Sequence, residues 1–209
     1  MARYIGSIIP VLVACLAIAY FVLRSDQPTS SNGNRIDPRT GIQFPVQASF
    51  SVGKNLALAG VGTRTKASVV KVYSVGFYST QKALGTIKGP ADLIAYKAPK
   101  VAHLHFSMGV GAEKVAAALS AVSGVKDEVV ASFNDMLIKG MGGKMLKGES
   151  LSLEFDGPMV FLTVRGKPVG TIKDQALSSG LLELYLGKSS VSPTLKEDIQ
   201  GLITASLKT

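Results

Sequence analysis

From Tyr4 to Leu23 the chain reads YIGSIIPVLVACLAIAYFVL, twenty residues without a charge, between Arg3 and Arg24. As a helix such a stretch is about 30 Å long, the thickness of a bilayer's hydrocarbon core. Pro10 would be costly inside a soluble helix but is tolerated in a membrane helix. A secretory leader has an apolar core of only about 7–15 residues. Apolar residues also continue past both small-residue sites, Ala17-Ile18-Ala19 and Leu12-Val13-Ala14-Cys15, which argues against cleavage. Residues 1–24 are therefore predicted to be an N-terminal transmembrane anchor of a single-pass membrane protein, with the lipid bilayer as a partner and Cys15 as a small apolar residue within it. Arginines stand on both sides of the segment and set no orientation.

The pattern then turns polar. SDQPTSSNGN, from Ser25 to Asn34, has no large apolar residue and reads as a flexible linker, placed over residues 25–36, with the folded domain over 37–209. Within that domain Leu56–Ala59, the run KASVVKVYSVGFY from Lys66 to Tyr78, and VAHLHFSM from Val101 show strand patterning, with GVGTRT read as a glycine-rich turn ahead of the second. AEKVAAALSAV, closed by Gly124, and KDEVVASFNDMLIK, closed by Gly140, read as helices. LSLEF, MVFLTV and PVGTI, separated by Asp156-Gly157-Pro158 and Arg165-Gly166-Lys167, predict a three-stranded meander. Asp174 is placed to cap a helix running through Leu186 to Gly187. Ser192 is placed as the N-cap of a last helix that has Pro193 at its first position. Strands with helices segregated onto them define an α+β domain.

Composition narrows the chemistry. The 209 residues allow about one domain of ordinary size beside the anchor. One cysteine excludes an internal disulfide, and two histidines cannot supply a structural zinc site. His103 and His105 share one face of a strand with no third ligand in evidence and read as ordinary strand histidines; no metal and no cofactor is expected. Gly60-Val61-Gly62 lacks the third glycine and the following helix of a dinucleotide fingerprint. GxSxG is absent, so nucleophilic hydrolysis has no support. The formal net charge is +9, and Pro38 through Ala91 carries Arg39, Lys54, Arg64, Lys66, Lys71, Lys82 and Lys88 with no acidic residue. Such a block is either a solvated basic face or an attractor of anions. Aromatic residues are not interleaved with the cations, which speaks against nucleic acid. Arg64, next to a strand with a face to bury, is a candidate inward-facing cation in need of an anionic partner.

The strings GVGTRTKASVVKVYSVGFY, KGESLSLEF and LLELYLGKSSVSPTLKEDIQGLI, in this order, resemble the chalcone isomerase family from about Gly41 to Thr209. The resemblance implies an open-faced β-sandwich, a large antiparallel sheet covered by helices with a ligand cleft between. It also places Arg64 on the family's arginine, which holds a phenolate in true isomerases and a carboxylate in the fatty-acid-binding branch. Tyr73 stands where isomerases have a carbonyl-polarising threonine, and a tyrosine there resembles the fatty-acid-binding branch. Lys114 matches the isomerase lysine. Gly111 and Ala118 fall where its tyrosine and asparagine belong, and Leu184 and Tyr185 fall where isomerases have a Thr/Ser-Met pair.

Beside the anchor predicted from Tyr4–Leu23, the resemblance implies a domain that binds a fatty acid or similar amphipathic anion, with Arg64 and Tyr73 gripping the acidic head. One alternative is an intramolecular lyase closing chalcone to flavanone, with Arg64 and Lys114 as catalytic residues. The other is a membrane-tethered interaction protein whose cleft is filled by its own side chains.

Overall fold

The computed structural model describes residues 29–30 and 33–206. The anchor expected at residues 1–24, and the linker up to Pro28, lie outside them. No helix among the described residues is long and apolar enough to cross a membrane.

Seven strands form one antiparallel sheet in the order β12-β11-β10-β7-β6-β5-β4. They are β4 (Gln47–Phe50), β5 (Gly53–Lys66), β6 (Val70–Ser79), β7 (Lys100–Phe106), β10 (Ser150–Asp156), β11 (Met159–Val164) and β12 (Lys167–Lys173). A small antiparallel sheet of β1 (Thr29–Ser30), β2 (Asn34–Ile36) and β3 (Gln43–Pro45) precedes it, and β8 (Val110–Gly111) pairs with β9 (Lys144–Met145). The helices are α1 (Gln81–Leu84), α2 (Asp92–Ala95), α3 (Ala112–Leu119), α4 (Asp127–Met141), α5 (Gln175–Leu186) and α6 (Pro193–Ser206).

Alternation along the strands gives the sheet two different faces. Val75, Phe77, Leu104, Leu153 and Leu162 enter the main core with Leu137 of α4, Leu181 of α5 and Leu195 of α6. The helical layer thus covers one face, as an α+β open-faced sandwich requires. On the other face Phe44 from β3 packs with Leu56, Leu58, Val61, Tyr78 and Val101.

The meander is laid out as the turn residues predict. Gly157 has a φ of 53°, and Arg165 and Gly166 both have positive φ (52° and 72°), the backbone of a tight two-residue hairpin turn. Asp174 caps α5, its Oδ1 accepting from Leu177 N at 2.7 Å, and Gly187 ends the helix.

Several local expectations give way to packing. Gly60-Val61-Gly62 is strand, not turn, and the hairpin falls instead at Ala67 and Ser68, both with positive φ, inside the run read as one strand. The glycines serve close approach: a Cβ on Gly62 would lie 2.3 Å from Leu195 N, and one on Gly60 2.6 Å from Ile199 Cγ1. Gly140 is likewise inside α4, where a Cβ would meet Val169 of β12 at 2.8 Å; the helix ends at Gly142, which has φ 60°. The Ala-rich helix stops at Leu119, before Val122. Ser192 precedes α6, but its Oγ is buried without a hydrogen-bond partner.

Order begins before Asp37. Asn34–Ile36 is β2, and Arg35, only 7% exposed, donates from Nη2 to both carboxylate oxygens of Asp198 at 2.6 and 2.7 Å. Asp198 Oδ2 also accepts from Val61 N at 2.7 Å, and Thr194 Oγ1 accepts from Thr63 N at 3.0 Å. Beyond the short β4, therefore, the free edge of β5 is closed by side chains of α6.

Candidate functional site

The β5–β6 register places Arg64 opposite Tyr73, next to a bulge between Arg64 and Thr65. In β5 the positions 60, 62 and 64 face α6, so the two glycines that seat that helix also aim Arg64 beneath the helical layer. Its guanidinium carbon lies 6.0 Å from the centroid of the Tyr73 ring, within cation–π range. Tyr73 is 3% exposed, and its hydroxyl meets that of the fully buried Tyr185 at 3.1 Å. Tyr185 arrives from α5, 112 residues along the chain, on a buried stripe with Leu177, Leu181 and Leu182.

The electrostatics of the group are those of a cation among apolar walls. Burial pushes the Tyr73 phenol above its ordinary value, a rise opposed first by the Arg64 charge and then by hydrogen bonds from Tyr185 and Arg64. Burial raises Tyr185 further. Both are neutral hydroxyls at pH 7, able to donate. Arg64 forms no ion pair with a carboxylate among the described residues, and its Nη1 is buried without a hydrogen-bond partner. A guanidinium N–H left unsatisfied in the interior costs about 1–3 kcal/mol or more, which an anion placed there would recover.

Arg64 and Tyr73 are thus brought together; Lys114 does not join them in the buried layer. It lies on the exposed side of α3, whose buried residues are Ala112, Val115, Ala116 and Leu119. Gly111 is exposed at the start of that helix, and Ala118 brings no polar atom. Tyr185 is the member that sequence reasoning did not assemble. Its legible signal was its place on the Thr/Ser-Met pair of the isomerases, which set it against neither Arg64 nor Tyr73.

His103 and His105 occupy the opposite face of the sheet. Ser152 Oγ is 2.7 Å from His103 Nδ1, and His103 Nε2 is 2.9 Å from His105 Nε2. Burial, then the neighbouring His105, pushes His103 down to about 4, and burial lowers His105 too. Both rings are neutral near pH 7. The described residues contain no group of three or more His, Cys, Asp or Glu placed to hold a metal ion.

A long antiparallel sheet under helices, with an inward arginine beside two tyrosines, defines the class: the chain belongs to the chalcone isomerase-like family, whose profile matches residues 38–201. Among solved structures it is similar to a fatty-acid binding protein of Arabidopsis thaliana. That match has a TM-score of 0.69 and 20% identity, and it covers 84% of this chain and 100% of the other. At that identity the likeness shows the shared fold. No curated protein sequence matches the chain.

Proposed function

We propose that the domain binds a fatty acid or a similar amphipathic carboxylate, with Arg64 and Tyr73 at its head and Tyr185 beside them. The observation that carries this is the buried, unpartnered Nη1 of Arg64, whose guanidinium forms no ion pair with a carboxylate among the described residues. A carboxylate offers acceptors for a guanidinium fork and for the hydroxyls of Tyr73 and Tyr185, while the surrounding core suits an alkyl tail. The fatty-acid binding protein with the same fold supports the reading. The lyase alternative has less to stand on, because Lys114 faces solvent and Gly111 and Ala118 offer no side-chain donor near a substrate. The apolar stretch Tyr4–Leu23 would tether this domain to a bilayer, at which amphipathic ligands concentrate.

A second reading has its own observation. Tyr73, Phe106, Tyr185 and Leu195 are all at most 3% exposed, so side chains already fill the layer around the arginine, as an interaction scaffold requires. Binding in that layer entails replacing the Tyr73–Tyr185 bond with bonds to the ligand.

Mass spectrometry of an organic extract separates the readings, comparing the purified full chain with Arg64→Ala, each checked for fold by circular dichroism. A stoichiometric fatty acid in the parent that is largely lost in the folded variant is the expected result. No lipid in either sample, or equal lipid in both, overturns the assignment to Arg64. Chalcone turnover that depends on Arg64 would restore the lyase.

A further inference from the structure

Two cations from the acid-free stretch of the sequence converge at a place the fatty-acid reading does not use. A cavity of about 310 Å³ is lined by Arg39 and Thr40 from the loop after β2, Lys71 at the start of β6, Phe106 and Ser107 at the end of β7, and Lys147 before β10. Three cationic residues from three separate segments therefore line one space, and among the described residues no carboxylate lines it. The nearest acids in sequence are engaged elsewhere. Asp37 accepts from Thr63 Oγ1 at 2.6 Å and from Arg39 N at 3.0 Å. Glu149 accepts from Arg165 Nε at 2.6 Å and from Leu146 N at 2.7 Å. Lys71 Nζ donates to the Arg39 carbonyl, which ties two of the segments together and leaves further ammonium protons free. Ser107 lines the cavity with other atoms, since its Oγ is buried out of reach of the space.

We propose that this cavity is a binding site for a phosphate monoester dianion, held by Arg39, Lys71 and Lys147. Three converging cations exceed what one carboxylate neutralises and match a multiply charged group with several acceptor oxygens. The volume is about ten times the ~30 Å³ share of a water molecule, leaving room for an organic substituent on the phosphate. Its one aromatic, Phe106, is fully buried and packed 5.6 Å from the Tyr73 ring, so no face is presented for stacking a nucleobase. The same chemistry is offered by a free phosphate ester and by a monoester phospholipid headgroup. The site stands independently of the carboxylate at Arg64.

Lysine footprinting on the full chain tests it. The rates of acetylation of Lys71, Lys147 and the exposed control Lys82 are followed by mass spectrometry at fixed ionic strength. One arm adds inorganic phosphate. The other adds dioctanoyl phosphatidic acid in neutral maltoside micelles, with dioctanoyl phosphatidylcholine as its blank. Saturable protection of Lys71 and Lys147 with Lys82 unchanged is the expected result, and Lys147→Ala should raise the concentration that half-protects Lys71 about threefold to fivefold. Protection by phosphate identifies a free ester as sufficient, and protection by phosphatidic acid alone identifies a lipid headgroup. Equal protection of all three lysines, or none in either arm, overturns the proposal.

Discussion

Gly62→Ala tests whether the glycines of β5 seat α6 by close approach. The added Cβ would stand 2.3 Å from Leu195 N and 2.6 Å from Leu195 Cα, both backbone atoms, while ordinary contact begins at 3.4 Å. The helix must withdraw by roughly 1 Å, and the Thr63 N to Thr194 Oγ1 bond, now 3.0 Å, then passes out of hydrogen-bond range. Overpacking costs about 1–3 kcal/mol and the lost bond about 1 kcal/mol. Reduced freedom of the unfolded chain returns about 0.4–1 kcal/mol. The net expectation is a destabilisation of roughly 2–3 kcal/mol. Gly201, in α6 itself, has open space where its Cβ would go, so Gly201→Ala is expected to stabilise by about 0.5–1 kcal/mol through helix propensity. Urea unfolding of the full chain, followed by circular dichroism, measures both. A neutral or stabilising Gly62→Ala, or a shift of both variants in the same direction, would refute the close-approach argument.

Asp198→Ala leaves the nearly buried Arg35 and the Val61 N–H without their acceptor and should cost about 3–5 kcal/mol in the same urea assay, far more than a surface ion pair. Removing one hydroxyl of the Tyr73–Tyr185 pair strands its partner, so Tyr73→Phe and Tyr185→Phe should each destabilise by about 1–3 kcal/mol. The double variant should lose less than their sum, and strict additivity would dismiss the contact. Because His103 is held down to about 4, the folded state keeps it neutral while the unfolded chain protonates near 6.5. Stability from this group is complete above about pH 6.5, falls as pH drops towards 4, and levels off below, with a total on the order of 3 kcal/mol. Asp198, raised by burial, acts in the opposite sense in acid, so the quantity to measure is the difference in pH slope between the parent and His103→Gln; equal slopes would exclude the histidine.

Much of the chain's local grammar is written locally. The meander follows from Arg165-Gly166 and Asp156-Gly157, because positive φ is a property of those residues and their neighbours. The limits of α5 follow from Asp174 and Gly187, since a cap satisfies the backbone of its own helix. Family membership was legible for the same reason, through Arg64, Tyr73 and the Ser192-Pro193 start of α6, whose spacing survives in the string of residues.

The sequence by itself determined the α+β class, the meander, the principal helices and the inward character of Arg64, all of which depend on periodicity and turn chemistry over a few residues. Only the tertiary structure decided which glycine is a turn and which a seat for a helix, since Gly62 and Gly140 owe their roles to Leu195 and Val169 in distant elements. It alone decided that the histidines lie across the sheet from Arg64, because a strand shows two faces and register selects which one is covered by helices. Assembly of Tyr185 with Tyr73, and of Lys147 with Arg39 and Lys71, required the chain to close over long separations. Those meetings depend on the burial of the whole core, which no local window contains.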